Sequence, residues 1–202
     1  MCSRYEVKVP VERIIERFGL LVSDFTFPAR VSNGEIRPTD LALVIGPDAC
    51  PSLLNWGLSV SWQKQPLINA RSETVAEKPT FRHLLEQRVL IPASAYFEWR
   101  KDGRRKIKTR IAPADDELFA FAGFADDERF VMLTCAPADK ISHIHNRMPV
   151  ILPADAEDAW LDPDTPFTDL EGVLVPYNGP FGVTEPVELP RVKPSAQHSL
   201  FD

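Results

Sequence analysis

The second residue of the chain is a cysteine. Removal of Met1 would leave Cys2 with a free α-amine and a thiol on adjacent carbons. Their ordinary pKa values are about 7.7–8.0 and about 8.5, so both have a nucleophilic fraction near neutrality. A 1,2-aminothiol reacts with an aldehyde in two steps: the amine forms a Schiff base, then the thiol closes a five-membered thiazolidine. No other residue offers that pair, although on position alone an incidental cysteine is the expected reading.

Three further stretches hold groups that could serve such chemistry. In ASAYFEWR, strand alternation puts Ala95, Phe97 and Trp99 on one face and Tyr96, Glu98 and Arg100 on the other. Glu98 then reads as a solvated or ion-paired residue, or as a general acid/base whose pKa burial has raised. In HIHNRMPVIL, His143 and His145 have the spacing of one strand face. No Cys/His/Asp cluster nearby completes a metal site, so neither a metal nor another cofactor is expected. Asn146 and Arg147 follow, just before an apolar run, which places a polar cluster at the mouth of a buried strand; a purely structural role for His145 is the alternative. In INARSET, Asn69 and Arg71 are candidate ligand contacts, with Arg71 suited to phosphate. The alternative is a surface loop capped by Ser72 and Thr74.

The segment 100–110, RKDGRRKIKTR, has seven basic residues and one acid. It is either a solvated hairpin or an electrostatic footprint for nucleic acid. The whole chain has a net charge of −6, so a nucleic-acid role needs such a local basic surface.

The elements that must position these groups are short. Proline supplies 19 of 202 residues, about twice the usual ~5%, which argues against long helices. Hydrophobic (44%) and charged (26%) fractions are those of an ordinary globular protein and exclude a disordered chain. The pattern predicts a helix over 10–18 stopped by Gly19, with Val11, Ile14, Ile15 and Phe18 inward, and a strand over 41–45. Thr80 is expected to cap a helix over 80–88 that turns Leu84 and Leu85 inward. Strands are predicted over 89–91, 95–100, 106–111, 118–124 and 130–135, with a hairpin through Asp102-Gly103. A helix should start at Pro153, and the tail after Pro186 should be loose. Hairpins rather than helices join the strands, so the expected class is α+β, a single domain of residues 1–202 around an antiparallel, barrel-like sheet. Cys50 and Cys135 are expected as reduced core thiols. No membrane span or secretory signal is legible, and a cytoplasmic protein is expected.

Taken together, MCSR, WGLSVSW, INARSET, RVLIPASAYFEWR, FAFAG and HNRMPVIL, in that order, resemble the SOS response-associated peptidase (SRAP) family, which senses and crosslinks abasic sites in DNA. The resemblance spans nearly the whole chain. It implies a compact α+β fold around a barrel-like sheet with a basic groove for single-stranded DNA, and covalent capture of the ring-opened abasic sugar by Cys2. It further implies that Asn69 orients the Cys2 amine, that Glu98 moves protons, and that His145 hydrogen-bonds the sugar oxygens. Strand cleavage through the Schiff base would be an associated activity. Arg4, Arg71, Arg100 and Arg147 become the candidate phosphate contacts. Trp56, Trp62 and Trp99 are candidates for base stacking, with core packing the expected role.

The implied partner is single-stranded DNA containing abasic sites, with contact to the replication machinery and a monomeric state as further expectations. The chain departs from the family pattern at Ser3, at Glu35-Ile36-Arg37-Pro38, and in WGLSVSW, which lacks a proline. The competing readings are a cysteine peptidase or self-processing enzyme with Cys2 as nucleophile and His145 as base, and a non-catalytic single-stranded DNA-binding module.

Overall fold

The computed structural model describes residues 2–22, 25–28, 33–115 and 117–186; the tail after Pro186, expected to be loose, lies outside these. The chain runs β1 (Tyr5–Lys8), α1 (Val11–Phe18), β2 (Asn33–Ile36), β3 (Leu41–Gly46), β4 (Cys50–Trp56), β5 (Leu58–Val60), β6 (Gln63–Leu67), β7 (Asn69–Arg71) and α2 (Pro79–Arg82). It continues through β8 (Arg88–Ala93), β9 (Ala95–Asp102), β10 (Arg105–Pro113), β11 (Phe119–Ala125), β12 (Arg129–Cys135) and β13 (Met148–Pro149). The last elements are α3 (Glu157–Leu161), α4 (Phe167–Leu170) and β14 (Phe181–Thr184).

Two β layers dominate. Strands β11, β8, β3, β4 and β12 pair in that order, and β12 pairs back to β11, closing a five-stranded barrel. The second layer is an open antiparallel sheet ordered β14-β10-β9-β1-β2. The fold is therefore α+β around a barrel, as expected, with one feature the hairpin pattern did not announce. Strands β4 and β7 both run parallel to β12. Residues 69–71, expected in an aperiodic loop, are thus a strand held along the barrel, with Ala70 buried.

The barrel closes because its strands are apolar on both faces, the mark of a strand covered on both sides. All seven residues of β11, FAFAGFA, are buried. Gly123 is the one position there that admits no side chain: a Cβ would lie 2.7 Å from Ile91 Cδ1 and 2.9 Å from the Val131 carbonyl. Aromatic rings tie the two layers together. Tyr5 meets Trp56 and Phe121 edge-on at 5.2 and 5.9 Å, and Tyr96 meets Phe121 at 6.1 Å. Trp56 is fully buried and donates its indole N–H to the Ile68 carbonyl at 2.8 Å. Arg88, also buried, donates to the carbonyls of Trp160, Asp162 and Thr165, which fastens α3 to the barrel.

Helix α1 forms where expected. Pro10 sets its start at φ −57, and Gly19 ends it at φ 58, a conformation glycine adopts freely. The hairpin between β9 and β10 also holds, with Asp102 opposite Arg105 and Gly103 at φ 59 in the turn.

Three expectations are corrected. The helix over 80–88 is one α-turn, Pro79–Arg82, with Lys78 rather than Thr80 at its cap. Beyond it, Leu84 and Gln87 N–H groups bond three residues back instead of four, and only Leu84 is fully buried while Leu85 is half-buried. Residues 83–86 instead wind as turns that lead into strand β8. His143 and His145 lie on a turn, not a strand, and the strand that follows is only Met148–Pro149. Cys50 is exposed, because Asp48 and Ala49, both at positive φ, form a tight surface turn that carries it outward; Cys135 is buried as expected. Among the described residues no helix is long and apolar enough to cross a membrane.

Candidate active site at the amino terminus

Cys2 sits where the two layers meet and has no exposed surface. Two interactions fix it. Asn69, the first residue of β7, donates its side-chain amide to the Cys2 carbonyl at 2.7 Å. The Cys2 thiol donates to the Arg4 carbonyl at 3.4 Å. The same Arg4 carbonyl accepts the Phe97 N–H at 2.9 Å, which locks the chain start against β9. In the register of that pairing Tyr5 stands opposite Tyr96, so Glu98, two residues on, lies beside the first residues of the chain.

Glu98 is 2% exposed. The solvated-face reading is therefore wrong. Burial raises its carboxyl pKa to about 7, against the opposing pull of the positive amino terminus and the Trp99 N–H. His145 Nδ1 lies 3.8 Å from Glu98 Oε1, electrostatic contact without a direct hydrogen bond. The Arg147 N–H reaches His145 Nδ1 at 3.2 Å and sets the ring. Burial lowers the imidazole pKa, followed in effect by the amino terminus, so His145 is neutral at pH 7. Burial, and then the Glu98 carboxylate, push the Cys2 thiol far above its ordinary value.

Asn69, Glu98 and His145 thus converge on Cys2 from β7, β9 and the turn before β13. Sequence reasoning missed Tyr5 and Tyr96. Both hydroxyls are buried with no hydrogen-bond partner among the described residues, as is Asn69 Oδ1. Burial raises both tyrosine pKa values, and a Cys2 charge would raise them further, which places the two rings beside the thiol. The available signal was Tyr96 on the same strand face as Glu98. Among the described residues no cluster of three or more His, Cys, Asp or Glu side chains could hold a metal ion. A cleft of about 610 Å³ that includes Gly19, Ala49 and Glu157 contains none of the predicted site residues.

Of the four arginines expected at phosphates, three are already paired. Arg4 binds Glu35 and lies 5.9 Å from the Trp99 ring centre. Arg100 grips both oxygens of Glu185 at 2.6 and 2.8 Å. Arg147 grips both oxygens of Glu73 at 2.5 and 2.8 Å and also reaches the Thr134 carbonyl. Arg71 is exposed with no ion pair among the described residues. In the basic segment, Lys108 binds Glu35 and Arg110 binds Glu6, whereas Lys101, Arg104 and Lys106 are exposed without an ion pair among the described residues. Trp56 is core, Trp99 is half-buried, and Trp62 is 64% exposed, which corrects its expected core role.

A closed barrel, an open sheet and a buried cysteine centre at the chain start define a distinct class of protein. The chain belongs to the SRAP family: the model for "SOS response associated peptidase (SRAP)" matches residues 1–193. It is 34% identical over 204 aligned residues to the abasic site processing protein YoaM of Bacillus subtilis, covering 88% of this chain and 87% of that one. Among solved structures, a Bordetella bronchiseptica protein superposes with a TM-score of 0.76 at 26% identity, over 93% of this chain and 100% of that one. A Bacteroides thetaiotaomicron protein superposes with a TM-score of 0.81 at 23% identity, over 91% of each chain.

Proposed function

We propose that this protein recognises abasic sites in single-stranded DNA and captures them covalently through Cys2 after loss of Met1. The observation that carries this reading is the convergence of Asn69, Glu98 and His145 on a buried residue 2. The names of the B. subtilis relatives, which describe abasic site processing, point the same way.

The abasic sugar is mostly a closed hemiacetal. Opening it takes a proton from the C1 hydroxyl and returns one to the ring oxygen, which needs a proton carrier beside the amine. Glu98, with a pKa near neutrality, holds and releases a proton at working pH. Neutral His145 supplies a ring nitrogen for hydrogen bonding to the sugar oxygens. The Cys2 amine then adds to the aldehyde carbon, the carbinolamine loses water to give an imine, and the thiol adds to the same carbon while its proton passes to nitrogen. The net change is aldehyde plus aminothiol to thiazolidine plus one water. The imine also acidifies the adjacent C–H, so β-elimination and strand cleavage compete with ring closure.

The thiol environment argues against the peptidase reading. A thiolate nucleophile needs a lowered pKa and a histidine partner. Here burial and Glu98 raise the thiol pKa, and the thiol donates to a backbone carbonyl. A neutral thiol suits an amine-first sequence, in which sulfur attacks last.

The test is incubation of the protein with an abasic-site oligonucleotide, read by denaturing gel and intact mass. The expected product is a denaturant-resistant adduct whose mass equals protein without Met1 plus DNA minus one water. Cys2→Ala should give no such adduct. No adduct from the wild type, or an equal yield from Cys2→Ala, overturns the reading.

A further inference from the structure

The surroundings of Glu35 are unusual for a surface carboxylate. It lies on β2, opposite Glu6 of β1. One oxygen binds Arg4 and has Arg37 at 3.7 Å, and the other binds Lys108. Three cations from separate segments therefore converge on one oxyanion. Glu35 presents two oxygens to Arg4 and Lys108, as a phosphodiester presents its two non-bridging oxygens. Desolvation opposes ionisation of Glu35, but the hydrogen bonds from Lys108 and Arg4 outweigh it and hold the carboxyl below its ordinary value.

The ground beneath this cluster is aromatic. Phe97 and Trp99 alternate on one face of β9, with Lys108 Nζ 4.1 Å from the Phe97 ring centre and Arg4 Cζ 5.9 Å from that of Trp99. Phe97 is buried beneath Lys108 and Trp99 is half-buried, so the rings hold the cations in place on a sheet face along which the backbone of a single strand could track the charges. Glu35 stands among those charges.

We infer that Glu35 is an internal stand-in for phosphate: it occupies a seat built by Arg4, Arg37 and Lys108, and a DNA phosphodiester binds there by displacing it. This rests on the single-stranded DNA reading above and deepens it. Binding is then an exchange of one anion for another rather than the filling of free cations. The seat stays ordered without DNA, and an undamaged strand is held more loosely than the local basic count suggests.

The test measures binding of an undamaged single-stranded oligonucleotide by fluorescence anisotropy across a salt series, with the full chain and its Glu35→Gln, Glu35→Asp and Glu16→Gln variants. Glu16 lies on α1, is exposed and pairs with Arg13, so Glu16→Gln removes the same charge away from the seat. Glu35→Gln is expected to bind at least about threefold tighter at low salt. Its slope of log K against log salt should steepen by up to about 0.7, since each further phosphate neutralised on a single strand adds about 0.7. Glu35→Asp is too short to span both cations and should fall between wild type and Glu35→Gln. Melting curves on the same samples establish that the variants are folded; if Glu35→Gln is not, Glu35→Asp against Glu16→Gln decides. Variants that bind no tighter than Glu16→Gln, or more weakly than wild type, overturn the inference. An undamaged strand has no aldehyde, so this result stands apart from the Cys2 chemistry: failed crosslinking refutes the covalent reading and leaves the seat to be judged on its own data.

Discussion

Glu98 and Glu35 lie in the same open sheet, on β9 and β2, with β1 between them. Their surroundings drive them in opposite directions. Glu98 is enclosed by the barrel-facing core, and burial raises its pKa to about 7. Glu35 has Arg4, Arg37 and Lys108 around it, and the hydrogen bonds from Lys108 and Arg4 hold its pKa below the usual carboxylate value. One carboxyl can exchange a proton near neutral pH; the other is a fixed charge at every physiological pH. Desolvation selects the first behaviour and nearby cations the second. The same side chain thus becomes a proton carrier or an anionic placeholder within one sheet, and each role can be broken separately.

After loss of Cys2 itself, the largest effect should come from Glu98→Gln. The amide keeps the shape and cannot carry a proton, so adduct formation should slow by about 10² or more. The pH profile sharpens the test. Glu98 as base takes the proton of the Cys2 ammonium, so the wild-type rate should rise with pH through about 7. In Glu98→Gln that rise should vanish and leave only the amine's own titration, near its ordinary ~7.7–8.0. An unchanged rate or an unchanged profile would remove Glu98 from the chemistry. Asn69→Ala should cost less. It deletes one hydrogen bond to the Cys2 carbonyl, typically ~1 kcal/mol, and adduct formation should slow by roughly fivefold. Single-turnover rates at saturating DNA check this, because Asn69 positions the nucleophile and a change confined to affinity would contradict that role.

How much of this was legible in the sequence follows the range of each signal. The β9–β10 and β11–β12 hairpins were readable because turn chemistry and alternation lie within a dozen residues. The parallel pairings of β4 and β7 with β12 join segments some 60 to 75 residues apart, with no local mark of their own. Hence barrel closure was expected only in outline, and INARSET looked like a loop although Ala70 within it is core. Cys2, Asn69, Glu98 and His145 were legible from residue type and motif order. Their convergence was not, because it depends on the long-range pairings of β1 with β9 and of β7 with β12. The carboxylates that hold the arginines were missed altogether. Glu35, Glu73 and Glu185 lie 31, 74 and 85 positions from Arg4, Arg147 and Arg100, and ion pairs at such separations follow no sequence period. Cys50 misled for a related reason: its neighbours are apolar in sequence, but the positive-φ turn at Asp48 and Ala49 decides its exposure.

The smallest expected effects are on stability, and here the two carboxylates should carry opposite signatures. The pKa of Glu98 is higher in the folded than in the unfolded chain, so its contribution is complete below about pH 4.5 and lost as pH rises through about 7. Glu98→Gln should therefore melt several degrees higher relative to wild type at pH 8 than at pH 4.5. The bound is about 3 kcal/mol, since one pKa unit is worth about 1.4 kcal/mol. Glu35 runs the other way. Its folded pKa is lowered, so its contribution is present above about pH 4.5 and fades as pH falls through the folded value. Glu35→Gln should melt slightly below wild type at pH 7 and converge with it in acid. Its side chain is 22% exposed and its partners are partly solvated, so the loss should not exceed about 1 kcal/mol, a shift of roughly 2–4 °C for a chain of this size. Melting curves of the two variants against pH should diverge from wild type in opposite directions. Curves that move in parallel would mean that the contrast between a buried proton carrier and a cation-bound placeholder is not what separates these residues.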